Sequence, residues 1–198
     1  MKKLLCLMLA LLMCASLMVA CGGDDDDTPA VDDLAPFTAA LTASAPKSAK
    51  ITTVLTTELG ALNAEYNVTY GEDGSVSITF TREKFNEITD TTTEFKSTVE
   101  GTAAIDAAGN LSGDLGAGAV SSAAAVNLTL SADKMTYTVD GGVLNATVTA
   151  ANTQAVLGVA INADVTVKLT VANGKVSSLI LTYTTTEGPA EIVAVYTN

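Results

Sequence analysis

The 198-residue chain contains no histidine and no tryptophan. Aromatic residues make up 5% of it, cysteines number three, and ten basic residues face 22 acidic ones. Each shortage removes a class of function. Without histidine there is no Ser–His or Cys–His dyad, no imidazole metal ligand and no residue of the type most used as a general base. The net charge of −12 argues against nucleic acid, whose binding rests on Lys and Arg neutralising phosphates. It argues equally against direct attraction to anionic lipid headgroups. No glycine-rich phosphate loop follows a strand and opens a helix. With so few aromatics, Ala, Val, Thr and Leu must build the core, in thin layers of small side chains.

What the sequence does have begins at its first residue. Lys2 and Lys3 precede an uncharged run from Leu4 to Val19. That run is shorter than the roughly 20 apolar residues a membrane-spanning helix needs. It has the form of a secretory signal peptide, which ends at small residues, here Ala20 before Cys21. The stretch Leu17-Met18-Val19-Ala20-Cys21 resembles the lipobox of bacterial lipoproteins, with Met18 standing where Leu is usual. The resemblance implies cleavage between Ala20 and Cys21 and transfer of a diacylglycerol to the Cys21 thiol, with further acylation such as palmitate. Met13 is too large to precede a cleaved Cys14, and Cys6 lies too early. The plainer alternative is an ordinary cleaved signal peptide. Removal of residues 1–20 would leave Cys21 as the sole cysteine, unable to form an intramolecular disulfide and a liability unless acylated. Two acyl chains contribute about 0.8 kcal/mol per buried CH₂, enough for stable anchoring without a spanning helix. The expected protein is exported and lipid-anchored to the cell membrane or outer membrane, facing the periplasm or the exterior.

Residues 21–33 follow as an acidic linker, GGDDDDTPAVDD after the cysteine, too polar to bury surface and expected to be disordered. Six of the 22 acids lie there, so 16 acids against eight bases leave the segment from Leu34 onward at −8. Residues 34–198 have the size of one domain with a real core.

Asp33 is positioned to cap a short helix bearing Leu34, Phe37, Thr38 and Leu41 on one face, stopped by Pro46. From residue 49 the pattern becomes β-branched alternation. It predicts strands at about 49–58, 62–70, 75–83, 94–105, 125–131, 135–140, 143–150, 159–172, 175–186 and 190–197. Asn173-Gly174 predicts a type I′ hairpin that would pair Val171 with Val176 and Val167 with Ile180. Leu179, Ile180 and Leu181 are apolar on both strand faces, which calls for cover on both sides or a register-shifting bulge. Residues 101–125, rich in Gly and Ala, suit a small-residue strand, a mobile loop or both. Residues 151–157 suit an inserted helix capped by Asn152 and stopped by Gly158. The fold class is mainly β: an antiparallel curved sheet or half-barrel with one or two short helices, the alternative being a β-sandwich.

Few residues invite chemistry. Glu58, Glu65, Glu83, Glu94 and Glu100 fall on predicted strands, where solvated strand-face charge explains them without a catalytic acid pair. Gly71-Glu72-Asp73-Gly74 and Asp24–Asp27 are oxygen-rich but lack the spacing that encloses Ca²⁺. The sequons at Asn67, Asn110, Asn127 and Asn145 follow from Thr-rich strands. Tyr66, Tyr70, Tyr137, Tyr183 and Tyr196 form either a carbohydrate or partner surface, or half-buried sheet positions with the hydroxyl in water. The expectation is a protein that is no enzyme, with no cofactor, no metal and no catalytic residue.

The order of one short helix followed by many antiparallel strands, with the hairpin NGKVSSLILTY, resembles the LolA/LolB and LppX-like lipoprotein carriers. That resemblance covers residues 34–198 and implies a half-barrel enclosing a hydrophobic cavity for acyl chains. It carries over no binding residue. Two functions follow: a carrier holding a hydrophobic ligand or lipid in the curved sheet, or a surface-exposed interaction lipoprotein that contacts proteins or glycans without a cavity.

Overall fold

Alternation of β-branched and polar residues dictates strands with one buried face, and it recurs along nearly the whole chain. The computed structural model describes residues 32–43, 45–86, 95–114 and 128–198. The signal segment, Cys21, most of the linker, Glu94, Asn127 and residues 115–125 lie outside the described residues. Asp33–Asn198 form one compact unit.

The described elements are α1 (Ala35–Thr42), β1 (Ser48–Thr57), β2 (Gly60–Tyr70), β3 (Val76–Phe85), β4 (Lys96–Ile105), β5 (Leu111–Gly113), β6 (Thr136–Asp140) and β7 (Val143–Val148). A 3₁₀ turn (Ala150–Asn152) and α2 (Thr153–Leu157) follow, then β8 (Val165–Ala172), β9 (Lys175–Thr184) and β10 (Pro189–Thr197). All ten strands join one unclosed antiparallel sheet in the order β5-β4-β3-β2-β1-β10-β9-β8-β7-β6. The architecture is mainly β, one sheet and two short helices, consistent with a curved sheet. A sandwich of two sheets is not what forms. β1 lies between β2 and β10, with Ser48 opposite both Thr69 and Thr197.

One face of the sheet, here called inner, carries the core. A row runs across eight strands through Phe80, Tyr66, Ile51, Ala194, Leu179, Leu169, Leu144 and Val139. Leu144, Leu169, Val148 and Val165 are completely buried. In the same row Gly101 faces Phe80. A Cβ on Gly101 would stand 2.5 Å from the Phe80 ring, so the missing side chain makes room for one of the few aromatics.

Helix α1 lies on β8 and β9. Its N-cap is Leu34 and not Asp33, with no side-chain cap bond. Burial of Leu34 draws the chain in one residue later than the polar cap would, and Pro36 fits the first turn. Phe37 and Ala40 are the buried helical residues, while Thr38 is exposed. The helix stops at Thr42, before Pro46, with Ala43 extended. The Thr42 hydroxyl lies 3.1 Å from the carbonyl oxygens of both Thr38 and Ala39.

The Asn173-Gly174 turn has φ of 53° and 72°, as a type I′ hairpin requires. Val171 pairs with Val176 as expected, but Val167 pairs with Leu181 and not Ile180. The cause is a bulge at Thr170/Val171: Ser178 opposes Thr170 and Val176 opposes Val171, leaving Ser177 unpaired. Its hydroxyl donates to the Thr170 carbonyl at 3.1 Å. The bulge puts Leu179 and Leu181 inward and Ile180 outward.

Other boundaries move for local reasons. Residues 128–131 are not a strand. The Thr129 amide donates to the Val156 carbonyl at 2.8 Å, and Leu128 and Leu130 pack on the core from a loop. β8 starts at Val165, six residues after position 159, because the Thr153 hydroxyl holds the preceding loop. It accepts from the Ile161 amide at 2.9 Å. Gly158, at φ 72°, ends α2 as expected, whereas Asn152 caps nothing and donates instead to the Lys134 carbonyl at 3.1 Å. β5, three residues long, lies within the small-residue stretch.

Candidate ligand-binding face

The inner face changes character along its length. Near the middle it is sealed: Ile51, Ala194, Leu179 and Leu169 are buried. Toward the end formed by the β1–β2 and β9–β10 turns, Leu55, Leu62, Tyr183, Ile192 and Leu181 are only half-buried. These residues share two adjacent rows, Leu62–Leu55–Ala190–Tyr183 and Arg82–Ala64–Thr53–Ile192–Leu181. Apolar surface is therefore left available there. Arg82 closes one row on β3 and is exposed, its guanidinium 5.6 Å from the centre of the buried Phe80 ring.

All five tyrosines lie on the inner face and belong to the core or pack against it. Burial pushes the Tyr70 and Tyr196 hydroxyls up from their ordinary pKa, Tyr196 most, with Tyr70 beside it as a second cause.

The outer face is threonine-rich and carries the acids. Glu65 pairs with Lys50 at 2.9 Å. Glu83 accepts from the Asn63 amide at 2.8 Å and side chain at 2.7 Å, with Lys96 at 3.8 Å. Hydrogen bonding from Lys50 holds Glu65 below the ordinary carboxylate range, and the Asn63 amide and side chain do the same for Glu83. Glu100 is exposed on the same face, and Glu58 sits in the β1–β2 turn, not on a strand. A general acid needs a carboxyl held above its ordinary value. The shifts resolved for described carboxylates all run downward. Asp73 of the Gly71–Gly74 turn spends its carboxylate on the Ser75 amide at 3.0 Å and hydroxyl at 2.6 Å. Among the described residues no group of three or more acids or cysteines could hold a metal ion.

Shallow grooves among the described residues mark this outer side. One of about 700 Å³ is bordered by Val54, Asp164, Thr166, Thr182, Pro189 and Glu191, and Tyr183 and Ala190 of the inner face also reach it. Grooves of about 440 and 270 Å³ are lined chiefly by Thr79, Thr81, Glu100 and Thr102, and by Thr136, Thr138, Asn145 and Thr147.

No protein-family model matches the chain, and no curated protein does. Function must therefore be argued from the two faces.

The candidate site residues Ala20 and Cys21 lie outside the described residues. No described helix is long and apolar enough to cross a membrane. Sequence reasoning passed over Arg82 and Lys84. A signal was present: Val76, Ile78 and Phe80 fix the inward parity of β3, and the same alternation reaches residues 82 and 84.

Proposed function

We propose that this chain is a lipid-anchored bacterial envelope lipoprotein, non-catalytic, whose β domain binds a hydrophobic ligand on the inner face of its sheet. The lipobox-like run ending at Ala20-Cys21 supports export and attachment, to the cell membrane or the outer membrane. The observation that carries the ligand reading is the graded inner face. It is a single unclosed sheet with a sealed apolar middle, bordered by the half-buried Leu55, Leu62, Leu181, Tyr183 and Ile192 at one end. Apolar side chains left half-buried beside a sealed core are surface that a hydrophobic ligand would remove from water. Lipid chains of the membrane or of another lipoprotein are the class that fits.

The test is native mass spectrometry of the mature chain from residue 21, carrying Cys21→Ser and purified without detergent, before and after organic extraction. A stoichiometric adduct that is lost on extraction and identified as lipid is the expected result. A bare polypeptide mass at every charge state would contradict it.

The second reading is a surface interaction module, and the outer face favours it. Thr52, Thr79, Thr81, Thr102, Thr147 and Thr166 lie on that face around shallow grooves, a surface suited to glycan hydroxyls or a protein partner. A bare mass would direct the search there.

A further inference from the structure

Charge is distributed unequally between the two faces of the sheet. The strands carry five described carboxylates, Glu65, Glu83, Glu100, Asp140 and Glu191, and alternation puts every one on the outer face. The inner face of the described strands has no carboxylate and two cations, Arg82 and Lys84. In a domain of net charge −8 this is the reverse of the overall balance. The two cations stand two residues apart on one strand face, about 7 Å along β3.

Both are exposed, and neither makes an ion pair among the described residues. The intervening Glu83 points to the other side and is bound by Asn63 and Lys96. Arg82 begins the row that continues through Ala64, Thr53, Ile192 and Leu181. Four strand spacings of about 4.8 Å make that strip about 19 Å long. Beyond Arg82 this row is half-buried and apolar apart from Thr53, and the row Leu62–Leu55–Ala190–Tyr183 lies beside it, making the strip two residue rows wide.

We infer that this end of the inner face binds a long-chain fatty acid, its carboxylate on Arg82 and Lys84 and its chain across Leu55, Leu62, Ile192 and Leu181. This deepens the hydrophobic-ligand reading and rests on it. The planar guanidinium of Arg82 matches a carboxylate bidentately, while Lys84 adds a mobile second charge. A strip two rows wide takes one acyl chain lengthwise. An amine-headed amphiphile would meet two like charges there, the described strands placing no carboxylate on that face, while Asp114, just beyond β5, keeps its Oδ2 beside Gly101 on the Thr102 amide.

The test uses the mature chain from residue 21 with Cys21→Ser, titrated with oleate below its micellar concentration by calorimetry. Methyl oleate, oleylamine and dispersed phosphatidylglycerol are compared in the same way. One mole of oleate should bind per mole of protein, about ten-fold more tightly than methyl oleate, since a hydrogen bond to a charged group is worth about that factor. Arg82→Gln with Lys84→Gln should weaken oleate about ten-fold or more and leave methyl oleate unchanged. Lys168→Gln, an exposed cation on the outer face, should change neither. Equal binding of oleate and methyl oleate, indifferent to the double variant, would overturn the anionic site while leaving the hydrophobic-ligand reading standing. Tighter binding of oleylamine or of phosphatidylglycerol would overturn the fatty-acid assignment. Failure of every amphiphile to bind would overturn both.

Discussion

Replacing Gly101 by alanine tests how tightly the inner face is packed. The new Cβ would lie 2.5 Å from Cζ and 2.8 Å from Cε1 of Phe80, distances real Cβ atoms do not tolerate. The Phe80 ring is 3% exposed and packs against Tyr66 with the ring planes tilted by 35° and the centres 6.1 Å apart, so it cannot swing into solvent. The other close atom, Oδ2 of Asp114 at 2.9 Å, belongs to an exposed side chain that can turn away. Overpacking of this kind costs about 1–3 kcal/mol. Against it, alanine restricts the unfolded chain and gains about 0.4–1 kcal/mol wherever the native backbone accepts it. Gly101 has no positive φ, so that gain applies. The net effect is a destabilisation of about 1 kcal/mol, up to about 2.5. In a Phe80→Leu background the ring atoms are gone, and the same substitution should become neutral or stabilising by about 0.4–1 kcal/mol. Urea denaturation of the four proteins, followed by circular dichroism, gives the coupling, expected at about 1–3 kcal/mol, the overpacking cost itself. Equal destabilisation in both backgrounds, or stabilisation of the parent chain, would refute the claim that Gly101 exists to seat Phe80.

Two further predictions concern the anchor and pH. Cys21→Ser should abolish incorporation of an alkyne-palmitate label and shift the protein from the detergent phase to the aqueous phase, whereas Cys14→Ser should do neither. Retained label in the Cys21 variant would refute the lipidation site. Glu65, Asp73, Glu83, Asp106 and Asp133 are held below their ordinary pKa by hydrogen-bond donors, so the folded chain binds their protons more weakly than the unfolded one. Their contribution is therefore present above the unfolded carboxylate pKa of about 4 and is lost as pH falls through the folded values. Tyr70 and Tyr196 are shifted the other way, and stability falls again above about pH 10. A thermal midpoint scanned from pH 3 to pH 11 should trace a plateau with both shoulders, and a midpoint steady down to pH 3 would contradict the carboxylate hydrogen bonds.

Much of this fold is written in local sequence. Asn173-Gly174 determines its hairpin because both residues accept the φ above zero that a type I′ turn needs to close a two-residue loop with the twist of its strands. The alternation Val165, Val167, Leu169 and Val171 identifies the buried face of β8 unaided. The register of β9 is another matter. Leu179, Ile180 and Leu181 present apolar side chains either way, and it is Ser177, dropped from the ladder, that decides which two face inward. Helix α1 shows the same competition, since burying Leu34 outweighs the cap Asp33 could offer. Leu128 and Leu130 alternate as a strand would, yet the backbone there bonds to the end of α2. Long-range partners settle such cases, and no window of sequence contains them. The same holds for Arg82 and Lys84. Their parity is legible from Phe80, but their separation from the carboxylates of the described strands is known only once those strands are assembled.

The neighbours of β1 also bear on how the chain folds. Every other adjacent pair in the sheet joins strands consecutive in sequence, whereas β1 to β10 spans the domain. Two five-stranded meanders, β1–β5 and β6–β10, can each assemble from hairpins at small loop-closure cost, and one distant pairing must then stitch them. Until β10 is in place, β1 stands as a bare edge, open to wrong partners. The stitching step should therefore set the folding rate. It also keeps the domain unfinished until β10 has emerged, a delay that would serve the export proposed for this chain.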